Sequence, residues 1–123
     1  MGARILVIDD DPVVRGMLVE MLQREGYDVD EAEDGRAGMK RFRERPSALV
    51  ITDVVMPEQE GLETLMQLRQ SAQPVKVMAI SGGGRVGADA YLNSARTLGA
   101  DAILAKPFGR EELLDLVTKL LAP

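Results

Sequence analysis

Residues 48–53 read Ala-Leu-Val-Ile-Thr-Asp, and a proline stands at position 57. A short apolar run without polar alternation, closed by a proline, predicts a strand buried on both faces. Strands of that kind lie at the centre of parallel sheets. The run therefore calls for helices on both sides of a sheet and puts Asp53 at the strand's carboxyl end. Open α/β sheets bind their ligands at that edge.

The flanking chain supplies the remaining elements. Arg4–Ile8 is a second apolar run, ending in Asp9, Asp10 and Asp11. Asp11-Pro12 reads as the cap and first residue of a helix, because proline's missing N–H costs nothing there. Val14, Met17, Leu18, Met21 and Leu22 follow at helical spacing, and Gly26 stops the helix. Tyr27–Ala32 alternates in polarity like a half-exposed edge strand. Asp34-Gly35 opens a helix with Gly38, Met39 and Phe42 inward. Its basic residues Arg36, Lys40, Arg41, Arg43 and Arg45 read as a solvated outer face, and Pro46 ends it.

Gly61 starts a third helix with Leu62, Leu65, Met66 and Leu68 as its apolar positions. Val75–Ser81 is a fourth strand after Pro74. Gly82-Gly83-Gly84 is a flexible loop. Ala88–Leu98 is a fourth helix stopped by Gly99. Ala102–Lys106 is a fifth strand before Pro107. Arg110–Leu121 is the last helix, with Leu113, Leu114, Val117, Leu120 and Leu121 as its stripe. Five strands alternating with five helices predict one α/β domain over residues 1–123, with a parallel sheet and right-handed crossovers. No repeat, linker or separate output domain is evident.

Composition narrows the chemistry. The 123 residues suffice for one core. Aromatics make up only 3%, so that core is aliphatic. There is no Cys and no His, which removes thiol nucleophiles, imidazole bases, disulfides and the usual zinc sites. The net charge of −5 disfavours nucleic acid or an anionic membrane as partner. No apolar run approaches the ~20 residues of a membrane span, and no signal peptide is evident, so the expected compartment is the cytoplasm.

The strand ends carry Asp9 and Asp10, Asp53, Ser81 and Lys106, and parallel topology brings all of them to one edge. Carboxylates crowded together raise one another's pKa unless they are neutralised. A hard divalent cation does this, and Mg²⁺ favours one or two carboxylates with water and phosphate oxygens. Acids, a hydroxyl and an ammonium together make a site for a phosphoryl group, for which a carboxylate can be the nucleophile.

Four segments carry a family resemblance: Val7-Ile8-Asp9-Asp10, Thr52-Asp53-Val54-Val55-Met56-Pro57, Ala79-Ile80-Ser81-Gly82 and Ala105-Lys106-Pro107-Phe108. Together they resemble the signature segments of response-regulator receiver domains of two-component signalling, in order and on the matching strand ends. The resemblance implies a flavodoxin-like sheet of order 2-1-3-4-5. It implies that Asp53 accepts a phosphoryl group from a histidine kinase or histidine phosphotransfer protein. It makes Asp10, Asp53 and the backbone carbonyl of Val55 the Mg²⁺ ligands, with Asp9 acting through a metal-bound water. Ser81 and Lys106 would each engage a phosphoryl oxygen, and the Lys106-Pro107 bond would be cis. An unknown downstream protein would read the face of the fourth helix, fifth strand and fifth helix. Such a protein is a phosphoacceptor and switch rather than a turnover enzyme.

Two positions depart from the pattern. Ile103 stands where many receivers carry Tyr or Phe, so a rotating ring cannot report the phosphorylation state. The loop Gly82–Gly87 is long and glycine-rich, and is expected to order when Ser81 engages phosphate. It also matches G-x-G-x-x-G, but it follows the fourth strand and lacks the acid of a dinucleotide site. Val55 and Gly83, where receivers tune hydrolysis, are small or apolar and are expected to leave water access open. Two other functions stay open: a phosphorelay intermediate, and a Mg²⁺-dependent phosphohydrolase working through an aspartyl phosphate.

Overall fold

The computed structural model describes residues 2–54, 60–81 and 88–122, with side chains from 60 and 88–92 excepted. Val55, Met56-Pro57 and the Gly82–Gly87 loop, including Gly83, lie outside the described residues. The strands are β1 (Arg4–Ile8), β2 (Asp28–Ala32), β3 (Leu49–Asp53), β4 (Lys76–Ser81) and β5 (Ala102–Ala105). The helices are α1 (Pro12–Arg24), α2 (Gly35–Glu44), α3 (Glu60–Gln70), α4 (Ala88–Thr97) and α5 (Arg110–Leu121). All strand pairs are parallel, and the order is β2-β1-β3-β4-β5. This is the flavodoxin-like arrangement.

Side-chain alternation along the strands builds two cores, one on each face. Ile5 and Val7 of β1, Leu49 and Ile51 of β3, and Met78 and Ile80 of β4 point one way. They pack against Leu18 and Leu22 of α1 and Leu113 and Val117 of α5. Leu6, Ile8, Val50, Val77 and Ala79 point the other way and meet Met39 and Phe42 of α2, Leu65 and Leu68 of α3 and Ala95 of α4. Ile103 packs on this second face. Each fully buried leucine contributes about 1.5–3 kcal/mol of transfer free energy. β3 is buried at all five of its residues, which is why its sequence shows no alternation.

The helix ends follow local chemistry. Asp11 caps α1, its carboxylate accepting from the N–H groups of Val13 at 2.9 Å and Val14 at 3.4 Å. Gly26 ends α1 at φ +90°, donating to Gln23 O while Tyr27 N–H donates to Leu22 O. This double closure needs a left-handed residue and so favours glycine. Asp34 caps α2 by accepting from Ala37 N–H at 2.8 Å. Gly99, at φ +106°, follows α4 in the same conformation.

The edge strand β2 is held by charge. Arg4 pairs with Asp28 at 3.3 Å and with Asp30 at 2.8 Å. Arg41 pairs with Asp30, and Arg45 with Asp28. Part of the basic α2 face is thus solvated but not idle. At the opposite end of the sheet Asp101 accepts from Val77 N–H at 2.8 Å and from Arg69, fastening the start of β4 to α3 and β5.

Candidate functional site: an acidic pocket at the sheet edge

Register assembles the pocket. Ile8 is opposite Thr52, so Asp9 emerges beside Asp53. Asp53 is opposite Ile80, one residue before Ser81. Ser81 is opposite Ala105, and Lys106 N–H donates to Ser81 O at 2.7 Å. Asp9, Asp10, Asp53, Ser81 and Lys106 all come to this edge, as the strand order requires. The Lys106-Pro107 peptide is cis.

Lys106 joins the two buried acids. Its Nζ lies 3.0 Å from Asp9 Oδ2 and 3.0 Å from Asp53 Oδ2. Asp9 is fully buried and Asp53 nearly so, whereas Asp10 is exposed. Burial pushes the Asp9 carboxyl above its ordinary 3.8, outweighing the Asp11 N–H bond and the charge of Lys106. Burial also works against the charge on Lys106, but the hydrogen bond and charge of Asp53, then those of Asp9, prevail. They hold its ammonium above the ordinary 10.5. The ammonium therefore stays protonated and donates to both acids.

Oxygens of Asp9, Asp10 and Asp53 lie within 4.8 Å of one another. Three hard carboxylate donors, one of them open to solvent, suit Mg²⁺. Ser81 Oγ is buried and without a hydrogen-bond partner among the described residues. A buried hydroxyl in that condition costs about 1–3 kcal/mol, so its place in the pocket calls for an oxygen ligand to engage it. The donor set and the orphan hydroxyl together fit a dication with a phosphoryl group.

Two residues to which the sequence reading assigned no part in the pocket shape it. Arg15 Nη1 donates to the Asp9 carbonyl at 2.8 Å, and its Nε to Glu31 at 3.0 Å. Gly61 lies so close to β3 that a Cβ there would stand 2.2 Å from Asp53 O and 2.5 Å from Val54 Cα. An arginine four positions after the Asp11 cap was the one sequence signal for the first. For the second there was only a glycine near a helix start.

A parallel sheet of order 2-1-3-4-5 with an acidic triad, a serine and a lysine on its carboxyl edge has the architecture of a receiver-type module. The chain matches the response regulator receiver domain family over residues 5–118 and belongs to it. It is 34% identical over 119 residues to the response regulator receiver protein CpdR of Brucella abortus, covering 96% of each chain. It is 40% identical to response regulator MprA of Mycobacterium leprae, but spans only 50% of that protein's length. Among solved structures, chemotaxis response regulator CheY4 of Vibrio cholerae superposes with TM-score 0.84 at 28% identity, covering 98% of this chain and 100% of that one. The receiver domain of NtrX from Brucella abortus does so with TM-score 0.86 at 27% identity, covering 95% and 97%. Among the described residues, no helix is long and apolar enough to cross a membrane.

Proposed function

We propose that this receiver accepts a phosphoryl group on Asp53 from a histidine kinase or a histidine phosphotransfer protein, and that the acyl phosphate switches binding to a downstream protein. The observation that carries this reading is Lys106 Nζ bridging Asp9 and Asp53 at the edge where the buried Ser81 hydroxyl has no partner among the described residues. A carboxylate oxygen of Asp53 attacks phosphorus as the bond from phosphorus to the donor's imidazole nitrogen breaks. The electron pair of that bond leaves with the imidazole. Lys106 keeps its positive charge and can turn from Asp53 to a phosphoryl oxygen, while Ser81 Oγ donates to another. Little bond chemistry falls to the protein, so alignment and charge neutralisation do most of the work.

Asp10 and Asp53 would hold Mg²⁺, with the Val55 carbonyl as a further ligand and Asp9 acting through water. When bound, the ion neutralises charge on the phosphoryl oxygens. The face of α4, β5 and α5 is the surface assigned to the downstream partner. With an aliphatic side chain at Ile103, packed into the core on the α2, α3 and α4 side of the sheet, the signal leaves through backbone and loop shifts near Ser81 rather than through rotation of a ring at that position.

Intact mass after incubation with acetyl phosphate and Mg²⁺ tests the reading. One phosphoryl mass on wild type, lost in Asp53→Ala and in EDTA, is expected. Sustained release of inorganic phosphate far beyond one equivalent of protein would point instead to a phosphohydrolase. No added mass, with no response to beryllofluoride, would overturn the assignment of Asp53.

A further inference from the structure

All the polar atoms of Asp9 have partners. Its N–H donates to Ala32 O at 3.2 Å. Its Oδ1 accepts from Asp11 N–H at 2.9 Å, and its Oδ2 from Lys106 at 3.0 Å. The carbonyl oxygen accepts from Arg15 Nη1 at 2.8 Å. That oxygen belongs to the planar peptide leading into Asp10, so the group that grips it sets the direction in which Asp10 departs. Asp10 is the exposed member of the triad. It has less packing to hold it than its two buried neighbours.

Arg15 is itself anchored. Its Nε donates to Glu31 near the end of β2, and the side chain is only 18% exposed. Contacts at Nε and Nη1 fix the plane of a guanidinium in a way that one contact to a lysine ammonium cannot. The arginine therefore ties the first turn of α1 to the ends of β1 and β2, at the peptide joining the first two acids.

We propose that Arg15 is a positioning residue for the divalent cation, orienting Asp10 through the Asp9–Asp10 peptide. The proposal rests on the reading of Asp10 and Asp53 as Mg²⁺ ligands. It makes a prediction opposite in sign to simple electrostatics. A guanidinium bonded beside the site repels a dication, so removing its charge alone would tighten Mg²⁺ binding. Removing a positioning group weakens it.

The test is the Mg²⁺ dissociation constant, measured by titration calorimetry on the full chain for wild type, Arg15→Ala, Arg15→Lys and Arg110→Ala. Arg15→Ala is expected to weaken binding about tenfold or more, the range for groups that orient metal ligands. Arg15→Lys keeps the charge and one donor and is expected to fall between. Arg110→Ala cuts the 2.8 Å pair with Glu25 near the other end of α1 and is expected to bind like wild type. Thermal unfolding in EDTA reports whether each variant is folded. If Arg15→Ala does not fold, Arg15→Lys carries the test and must bind more weakly than wild type. A folded Arg15 variant that binds Mg²⁺ as tightly as wild type, or more tightly, overturns the proposal and leaves the site reading standing. Absence of Mg²⁺ binding by wild type overturns both.

Discussion

Gly61→Ala puts a single methyl group against the backbone of the phosphoacceptor strand. The new Cβ would stand 2.2 Å from Asp53 O and 2.5 Å from Val54 Cα, distances that real Cβ atoms do not adopt. Both obstacles are main chain, so no side-chain rotation relieves them. Overpacking of this kind costs about 1–3 kcal/mol. The intrinsic gain of alanine over glycine in a helix, at most ~1 kcal/mol, offsets part of it, and less than usual because Gly61 is the second residue of α3. A net loss of about 1–2 kcal/mol corresponds to about 4–8 °C in Tm for a chain of this size. To restore ordinary contact, Asp53 and the start of α3 must part by roughly 1 Å, a misplacement that can cost about 100-fold where the rate depends on alignment. The assay pairs urea unfolding with the rate of acetyl phosphate labelling. Gly16→Ala is the control, since nothing lies within 4 Å of its added Cβ. It is expected to gain about 0.5–1 kcal/mol and to label at the wild-type rate. A Gly61→Ala protein with wild-type stability and wild-type labelling would refute the claim that this close approach sets the position of Asp53.

The lysine bridge yields further expectations. In metal-free protein, Lys106→Met leaves two buried carboxylates without their shared cation, for a loss of about 3 kcal/mol in urea unfolding; Mg²⁺ is expected to recover most of it. Saturating Mg²⁺ should raise the wild-type Tm and EDTA should return it, with the rise diminished in Asp10→Asn; an undiminished rise would remove Asp10 from the ligand set. Asp9 and Lys106 both hold a proton more tightly folded than unfolded, so both make metal-free stability fall as pH rises. The Asp9 contribution is complete below 3.8 and is lost as pH climbs through its raised folded value, while that of Lys106 is complete below 10.5 and is lost above it. Urea midpoints across pH should show the first fall removed in Asp9→Asn and the second in Lys106→Met; a wild-type slope in Asp9→Asn would contradict burial as the cause.

Much of this was readable from the letters, and the gaps have physical causes. β1 and α5 have the expected bounds because side-chain pattern and end signals coincide there. β3 begins at Leu49 rather than Ala48, which is exposed and sits at the ladder's margin. β5 stops at Ala105, one residue before Lys106. Met17 and Met66 follow the helical apolar period yet are 39% and 44% exposed, because periodicity marks a face without saying how far the neighbours cover it. The pocket's acids, serine and lysine were legible because strand ends in a parallel sheet share an edge. Arg15 was not, since its partner is a carbonyl oxygen and every residue has one. Gly61 could be read as a helix start, but the nearness of Asp53 O depends on how α3 seats on β3.

The charged border of β2 has a consequence for self-association. A strand added by another chain would run beside Asp28, Asp30, Glu31 and the arginines paired with them, and would compete with Asp30 Oδ1, which already accepts from Glu31 N–H at 2.9 Å. Bringing a chain against those charges strips water from ions without supplying better partners. The charged border therefore works against β-augmentation on that side of the sheet.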